Sequence, residues 1–253
     1  MIIGLVFVGL FVGAISGFFG VGGGMILVPM LLSIGVDIKS AIGISVVQMV
    51  FSSVYGSYLN HRKGVLQFNE GIWVGVGGLA GGMIGARFTD LLSKEMLSYI
   101  FLALVLFAII RILFSKKKHP DQEEGSFSSG LLFVIGFFIG IIAMMLGVGG
   151  SIMLTPILVG FLHFSTKKAA TAGLFFVVFS SLSGLGYKLY AGTFDSLSLG
   201  LSEAMAVSIA AIFGVIIGIK LKDAVHDTRH KRSLIVLYFV ILVMLVKKIF
   251  FTY

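Results

Sequence analysis

A glycine-rich phrase occurs twice in this chain, inside stretches that are otherwise almost wholly apolar. The first copy, residues 13–32, reads GAISGFFGVGGGMILVPMLL, and the second, residues 140–159, reads GIIAMMLGVGGSIMLTPILV. Glycine in a helix interior costs about 1 kcal/mol relative to alanine, so each run of glycines predicts a break between two short helices. The constant spacing between matching glycines, valines and prolines of the two copies indicates an internal repeat.

The composition around this phrase is that of a polytopic membrane protein. The chain is 58% hydrophobic and 12% charged, with a mean hydropathy of +1.09. Soluble domains average about 25% charged residues. Apolar stretches long enough to span a bilayer recur along most of the length, which predicts an all-α transmembrane fold. The net charge of +8 is explained by cytoplasmic loops without a nucleic-acid partner, and the lack of cysteine excludes disulfides and thiol chemistry.

A charged linker divides the chain into two similar halves. Residues 116–129 combine lysines, proline and acidic residues, and they separate a first transmembrane repeat, 1–115, from a second, 130–253. Beyond the glycine phrase, the segment from Lys39 to Gly64 aligns with that from Lys167 to Gly192. Each repeat is predicted to hold a glycine-broken pair of short helices plus about three full spans, or about eight to ten helices in all.

The distribution of positive charge favours an inverted orientation of the two halves. If each glycine-broken pair enters and returns, each half crosses the membrane an odd number of times and the halves are inverted. Of the 19 Lys and Arg residues, 13 then lie on or near one face. The other 6 are Lys39, Arg87, Lys94, Lys188, Lys247 and Lys248. Parallel halves would give 9 and 10, without bias. Because cytoplasmic loops carry excess Lys and Arg, the linker is predicted to be cytoplasmic and both termini external.

The two breaks are the leading candidates for a binding site. A helix that begins at mid-membrane presents free N–H groups and the positive end of its dipole, which suit an anion. We expect helix N-termini near Gly22–Gly24 and Gly149–Ser151 to face each other. The candidate substrate-binding positions in the breaks are Gly20, Gly22, Gly23, Gly24, Gly147, Gly149, Gly150 and Ser151. The alternative is that these glycines only permit close helix packing. Neither run fits a nucleotide-binding glycine motif.

Neutral polar residues follow each break. Ser45, Gln48 and Ser52 share one face of a predicted helix, and Thr171 and Ser180 lie in the corresponding helix of the second half. These five residues are candidate hydrogen-bond donors to an oxyanion. Interhelical hydrogen bonding is the alternative, equally favoured for the serines.

Four further residues are candidates for gating or for the pathway. Pro29 and Pro156 fall inside the short helices after the breaks, where proline removes a backbone donor and can kink the helix. Arg87 and Lys220 occupy matching positions and could attract anions to the mouths of a pathway, although such cations usually extend to the headgroups. Glu203 is a candidate proton carrier or an interfacial residue.

The doubled GxxxGxxGVGGGxxxxPxL phrase, with its charged linker and a length of about 250 residues, resembles the sulfite exporter TauE/SafE family over essentially the whole chain. The resemblance implies secondary transport of sulfur-containing oxyanions such as sulfite, sulfonates and sulfoacetate across a bacterial or archaeal cytoplasmic membrane, with protons as a candidate coupling ion. The second copy departs at Ser151, where the first has Gly24.

The sequence therefore predicts an anion transporter that works by alternating access in the lipid bilayer. A passive anion channel, a transporter of another small organic anion and a non-transporting membrane scaffold are the alternatives. No residue pattern indicates an enzyme, a metal site or a cofactor. His61 and His163 are predicted to lie in loops.

Overall fold

The computed structural model describes residues 2–64, 68–113, 128–160, 166–193, 201–225 and 227–251. Throughout these ranges the regular structure is helical. The ten helices are α1 (Ile2–Phe19), α2 (Gly24–Ser33), α3 (Ile38–Arg62), α4 (Phe68–Leu91), α5 (Lys94–Leu113), α6 (Ser129–Leu146), α7 (Ser151–Gly160), α8 (Thr166–Tyr190), α9 (Leu201–Ala224) and α10 (Asp227–Phe251). The all-α prediction, with a break in each glycine phrase, is confirmed. Residues 116–127 of the linker and His163 lie outside the described residues, and His61 lies in the last turn of α3, not in a loop.

Five of the helices are long and apolar enough to cross a membrane: Ile38–Arg62, Ser129–Leu146, Ala169–Tyr190, Ser202–Ala224 and Arg232–Phe250. Large apolar side chains point outward from several helices, including Phe7, Phe138 and Phe239, which are 61–68% exposed. Apolar surface on this scale is unfavourable in water and is expected where a protein faces lipid.

Glycines allow two pairs of helices to pack backbone to backbone. Gly9, Gly13 and Gly17 of α1 face the backbone of α9 at Val207, Ala211 and Val215 in turn. Gly77, Gly81 and Gly85 of α4 face the backbone of α6 at Phe133, Phe137 and Ile141 in turn. Small residues of this kind are what allow helices to associate closely in a bilayer. Each contact joins a helix of the first half to a helix of the second.

The same contacts give the directions of the helices in the first half. Because the contacting residues advance together, α1 runs in the same direction as α9. Helix α3 also runs with α9, since Gly56 faces Val215 and Asn60 lies beside Lys222. Helix α2 leads directly into the start of α3 and runs against it. The chain therefore runs into the molecule along α1 and back in the opposite direction along α2.

The second half has the reverse arrangement. Helix α4 runs with α6 and with α8, because Gly71 and Gly75 of α4 face Phe175 and Phe179 of α8. Helix α7 runs against α8, so α6 and α7 also form an entering and a returning helix. Helices α3 and α8 are antiparallel: Gly184 approaches Val46, whereas Leu174 approaches Gly56. Helices α1–α4 thus point opposite to their sequence counterparts α6–α9.

Candidate functional site

The matching glycines of the two breaks all have positive φ angles. Gly20, Gly22 and Gly23 have φ values of 69°, 77° and 86°, and Gly147, Gly149 and Gly150 have φ values of 64°, 79° and 74°. This left-handed region is easily reached only by glycine. The breaks therefore need glycine for its conformation, and close helix packing alone does not account for these six positions.

Each break ends at the start of a short helix. The amides of Ile26 and Leu27 donate to the carbonyl of Gly23, and those of Met153 and Leu154 donate to the carbonyl of Gly150, all at 3.0–3.1 Å. The N–H groups before these first bonds have no acceptor within their own helix. The predicted N-termini near Gly22–Gly24 and Gly149–Ser151 lie where α2 and α7 begin.

The breaks meet inside the molecule, and we call residues 20–24 and 147–151 the paired breaks. Gly24 approaches the carbonyl oxygen of Gly147. A Cβ atom on Gly22 would lie 2.9 Å from Val177 Cγ1, and one on Gly149 would lie 2.9 Å from Met49 Sδ and 3.1 Å from Val177 Cγ2. The side chains of Met49 and Val177 thus lie between the two breaks. Met49 and Val177 occupy matching positions of the two halves, and their apolar character gave no sequence signal for this place.

Gln48 lies beside the N-terminus of α2 without a hydrogen-bond partner. Its side chain is 0% exposed, and neither Nε2 nor Oε1 has a partner among the described residues. A Cβ atom on Gly23 would lie 2.6 Å from Oε1 and 2.7 Å from Nε2. A buried unpaired amide costs about 1–3 kcal/mol, so Gln48, beside the first N–H groups of α2, is a candidate contact for a polar ligand.

Ser151 is the second unpaired polar residue, at the first position of α7. Its Oγ is buried and has no partner among the described residues, and the side chain packs against Gly173. At the other N-terminus the arrangement is reversed, because Gly24 begins α2 and the hydroxyl comes from Ser45 of α3. At each helix N-terminus a glycine thus faces a serine, and the two residues exchange places between the short helix and the long helix beside it.

The other predicted donors are already engaged. Ser45 donates to the carbonyl of Gly147 at 2.7 Å, and Ser52 lies 3.2 Å from the carbonyl of Gly22. These two serines fix the carbonyls of the breaks. Ser180 is buried, and its hydroxyl lies near carbonyls of its own helix. Thr171 Oγ1 lies 3.4 Å from Nζ of Lys222. Only Gln48 and Ser151 bring unpaired side-chain groups to the helix N-termini among these candidates.

The gating candidates lie elsewhere. Pro29 is buried inside α2, and Pro156 occupies the same register of α7. Arg87 and Lys220 are both exposed. This exposure is consistent with extension of their side chains toward headgroups.

Two buried lysines were missed as site candidates by sequence reasoning. Lys188 of α8 is 1% exposed and lies 3.8 Å from Asp90. Lys222 of α9 is 4% exposed, and its Nζ lies 3.2 Å from Asn60 Oδ1. In the sequence both lysines come just after an apolar stretch, so local hydropathy did not mark them as buried. The two lysines lie at opposite ends of the antiparallel pair α3 and α8.

These features define a multi-pass, all-helical membrane protein in which two short helices begin face to face in the interior, an architecture of membrane transporters. The chain belongs to the sulfite exporter TauE/SafE family, whose model matches residues 5–245.

Three relatives support this assignment. The probable membrane transporter protein YdhB of Bacillus subtilis is 27% identical over 69% of this chain and 74% of its own. The probable membrane transporter protein YunE of the same species is 21% identical over 95% and 94%. The probable membrane transporter protein MJ0441 of Methanocaldococcus jannaschii is 24% identical over 91% and 90%. No solved structure matches this chain.

Proposed function

We propose that this protein is a secondary transporter of small sulfur-containing oxyanions, which it binds between the N-termini of α2 and α7. The observation that carries the proposal is the pair of buried, unpaired groups, Gln48 and Ser151, one beside each N-terminus. The family description supplies the substrate class.

The chemistry of the paired breaks favours an anion over a cation. Free N–H groups and two positive helix ends attract negative charge. The Nε2 of Gln48 and the hydroxyl of Ser151 add directional donors that suit the oxygens of sulfite or a sulfonate. The breaks contribute Gly20, Gly22, Gly23, Gly24, Gly147, Gly149 and Gly150, while Ser45 and Ser52 hold break carbonyls in place.

Alternating access between two inverted repeats explains why this site is closed. Gln48 and Ser151 are 0% exposed, so a substrate can reach them only if the helices move. The opposite directions of matching helices support an inverted repeat, in which rocking of one half against the other would open each side in turn. An open anion channel, the second candidate, would leave the site permanently connected to water.

Proton coupling and location in the cytoplasmic membrane belong to the same proposal. Glu203, in the first turn of α9, is the carboxyl we propose to test as a proton carrier. Sulfite uptake into proteoliposomes should respond to an imposed pH gradient, and a Glu203→Gln variant should lose that response while still exchanging sulfite.

A ligand screen tests the binding site. Sulfite, sulfate, thiosulfate, taurine and sulfoacetate are added to the purified protein, and the substrate should raise its melting temperature because it binds only the folded state. Gln48→Leu should remove most of this shift, whereas Ser53→Ala, whose hydroxyl faces a carbonyl of its own helix, should keep it. A full shift in Gln48→Leu would contradict the central site.

Counterflow separates carrier from channel. Proteoliposomes loaded with unlabelled substrate should take up labelled substrate faster than empty ones, because a carrier returns faster when loaded. Equal rates with a high flux would favour the channel.

A further inference from the structure

A buried, charged cluster lies at the end of the molecule where α3 begins. Lys188 is 1% exposed, and its ammonium has no hydrogen-bond partner among the described residues. The nearest carboxylate oxygen, Oδ1 of Asp90 in α4, is 3.8 Å away, and the Asp90 side chain is 28% exposed. An ammonium taken out of water and left without hydrogen bonds is costly, so it is expected to have a polar ligand in some state of the protein.

The charges around Lys188 leave an excess of positive charge. The ionised neighbours that act on its ammonium are Asp90 of α4 and Lys39 of α3. Lys39 donates to the backbone oxygen of Asp90 at 2.8 Å, and the Asp90 carboxylate faces Lys188 and the hydroxyl of Tyr187. Lys188 and Lys39 thus bring two positive charges beside the single carboxylate of Asp90, and exposed Arg87 adds a third on the helix of Asp90, α4. The cluster as a whole attracts anions.

The cluster adjoins the second glycine break. Thr89, next to Asp90, donates to the carbonyls of Met144 and Met145 at 3.3 and 2.9 Å, in the last turn of α6 before Gly147. Gly184, one turn before Lys188, packs against the side chain of Met144. An anion held at Lys188 would be about one or two helical turns from the paired breaks.

A buried ammonium also occupies the opposite end, but it comes from a different helix. The sequence counterpart of Lys188 in the first half is Asn60, which carries no charge. There Lys222 of α9 supplies the ammonium, 3.2 Å from Asn60 and 3.4 Å from Thr171. The two buried ammonium groups come from positions that do not match in the two halves, so the sequence repeat does not produce them. This argues that each end of the molecule needs a buried positive charge.

We propose that Lys188 is an anion-binding station between this end of the molecule and the paired breaks, with Asp90 as the counter-ion that a passing oxyanion displaces. The proposal rests on the proposed transport function and adds a second site to it. A purely structural ion pair is the competing explanation, and the two differ in the effect expected from removing Asp90.

The test measures uptake of labelled sulfite by Lys188→Met and Asp90→Asn variants in proteoliposomes. Chloride is added to keep the ionic strength constant as the sulfite concentration changes. Removing the ammonium should raise the KM for sulfite about tenfold, equivalent to about 1.4 kcal/mol, whereas removing the competing carboxylate should lower it. Asp90→Asn should also show a larger sulfite-dependent rise in melting temperature than the wild type. Lys94→Met, which removes an exposed ammonium at the same end, should leave the KM unchanged.

Equal KM values in folded Lys188→Met and wild type would overturn the station, as would a rise in KM for both variants, which a structural pair predicts. If Asp90→Asn does not fold, Lys188→Gln replaces it: a raised KM in both Lys188 variants supports the station, and an unchanged KM overturns it. If Gln48→Leu loses sulfite binding while Lys188→Met keeps the wild-type KM, only the station fails. If wild type neither binds nor exchanges any screened anion, the transport proposal fails first.

Discussion

At the scale of single residues, the buried polar side chains differ in whether they have a hydrogen-bond partner. Ser45 is paired with the carbonyl of Gly147, while Gln48, one turn later on the same helix, has no partner in the described part of the chain. Hydrogen-bonded groups hold the breaks in shape, and unpaired groups are available to a ligand. Mutation should distinguish these two roles, because a hydrogen-bonded buried residue stabilises the fold, whereas an unpaired buried polar residue lowers its stability.

Replacing Gln48 by leucine should separate stability from function. The substitution replaces an unpaired buried amide by an apolar side chain of similar size. The melting temperature without ligand should therefore stay the same or rise. The measurement is thermal unfolding in detergent without sulfur oxyanions. A marked fall in melting temperature would mean that the amide has a structural role.

Replacing Ser45 by alanine should destabilise the protein. The change leaves the buried carbonyl of Gly147 without its donor, at a cost of about 1–3 kcal/mol. Ser53→Ala is the matched control, since its hydroxyl lies 3.4 Å from the carbonyl of Val50 in the same helix. Denaturant unfolding of both variants measures the difference, and equal losses would contradict the interhelical role of Ser45.

At the scale of helices, α3 has a defined start that depends on ionisation. Asp37 precedes α3 and accepts hydrogen bonds from the amides of Lys39 and Ser40 at 3.1 and 3.3 Å. Partial burial raises the pKa of this carboxyl, but the hydrogen bonds from Ser40 and Lys39 and the nearby Lys94 outweigh it, so its pKa lies below the ordinary value. The lowered pKa means that the ionised cap stabilises the folded state.

Asp37→Ala should cost about 1 kcal/mol of stability at neutral pH, because the helix loses its N-cap. The contribution of the wild-type carboxylate is present above its unfolded pKa of about 4 and is lost as pH falls through the lower folded pKa. Asp37→Asn keeps a good cap and should lose only this part of the pH dependence. Melting temperatures from pH 3 to 7 test both points, and equal destabilisation by the two variants at pH 7 would contradict them.

The packing of α1 on α9 depends on the absence of side chains. Gly13→Ala would place a Cβ atom against the backbone of Ala211 and force the helices apart, at an expected cost of about 1–3 kcal/mol. Gly186→Ala in α8 is the control, because its Cβ atom would meet nothing within 4 Å. The control should be neutral or stabilising, by up to about 1 kcal/mol, since alanine favours helix. A neutral Gly13→Ala variant would exclude close contact between α1 and α9.

At the scale of the whole molecule, the returning helices reverse the second half relative to the first. The ends of α3 then lie on opposite faces, with Lys39 at one and Lys63 at the other. Lys63 pairs with Asp223 at the end of α9, while Lys39 contacts Asp90 at the end of α4. These two contacts hold charged side chains together at each end of α3.

Cysteine labelling can test the orientation directly, because the chain has no cysteine of its own. A membrane-impermeant maleimide applied to intact cells should label a Lys94→Cys variant and spare a Lys63→Cys variant. Permeabilised cells should label both, which is the control for accessibility. The opposite pattern would reverse the orientation, and labelling of both in intact cells would contradict the placement of residues 63 and 94 on opposite sides of the membrane.

The sequence alone determined the membrane class, the helical breaks and the short helices after them, because these depend on local hydropathy and on the backbone freedom of glycine. It also determined the family. Tertiary structure decided which polar residues meet the breaks. Ser45 and Ser52 bond to carbonyls, while Gln48 and Ser151 find no partner within the described ranges. The buried lysines Lys188 and Lys222 likewise depend on contacts between distant helices, and no local pattern determines which side chains such packing encloses.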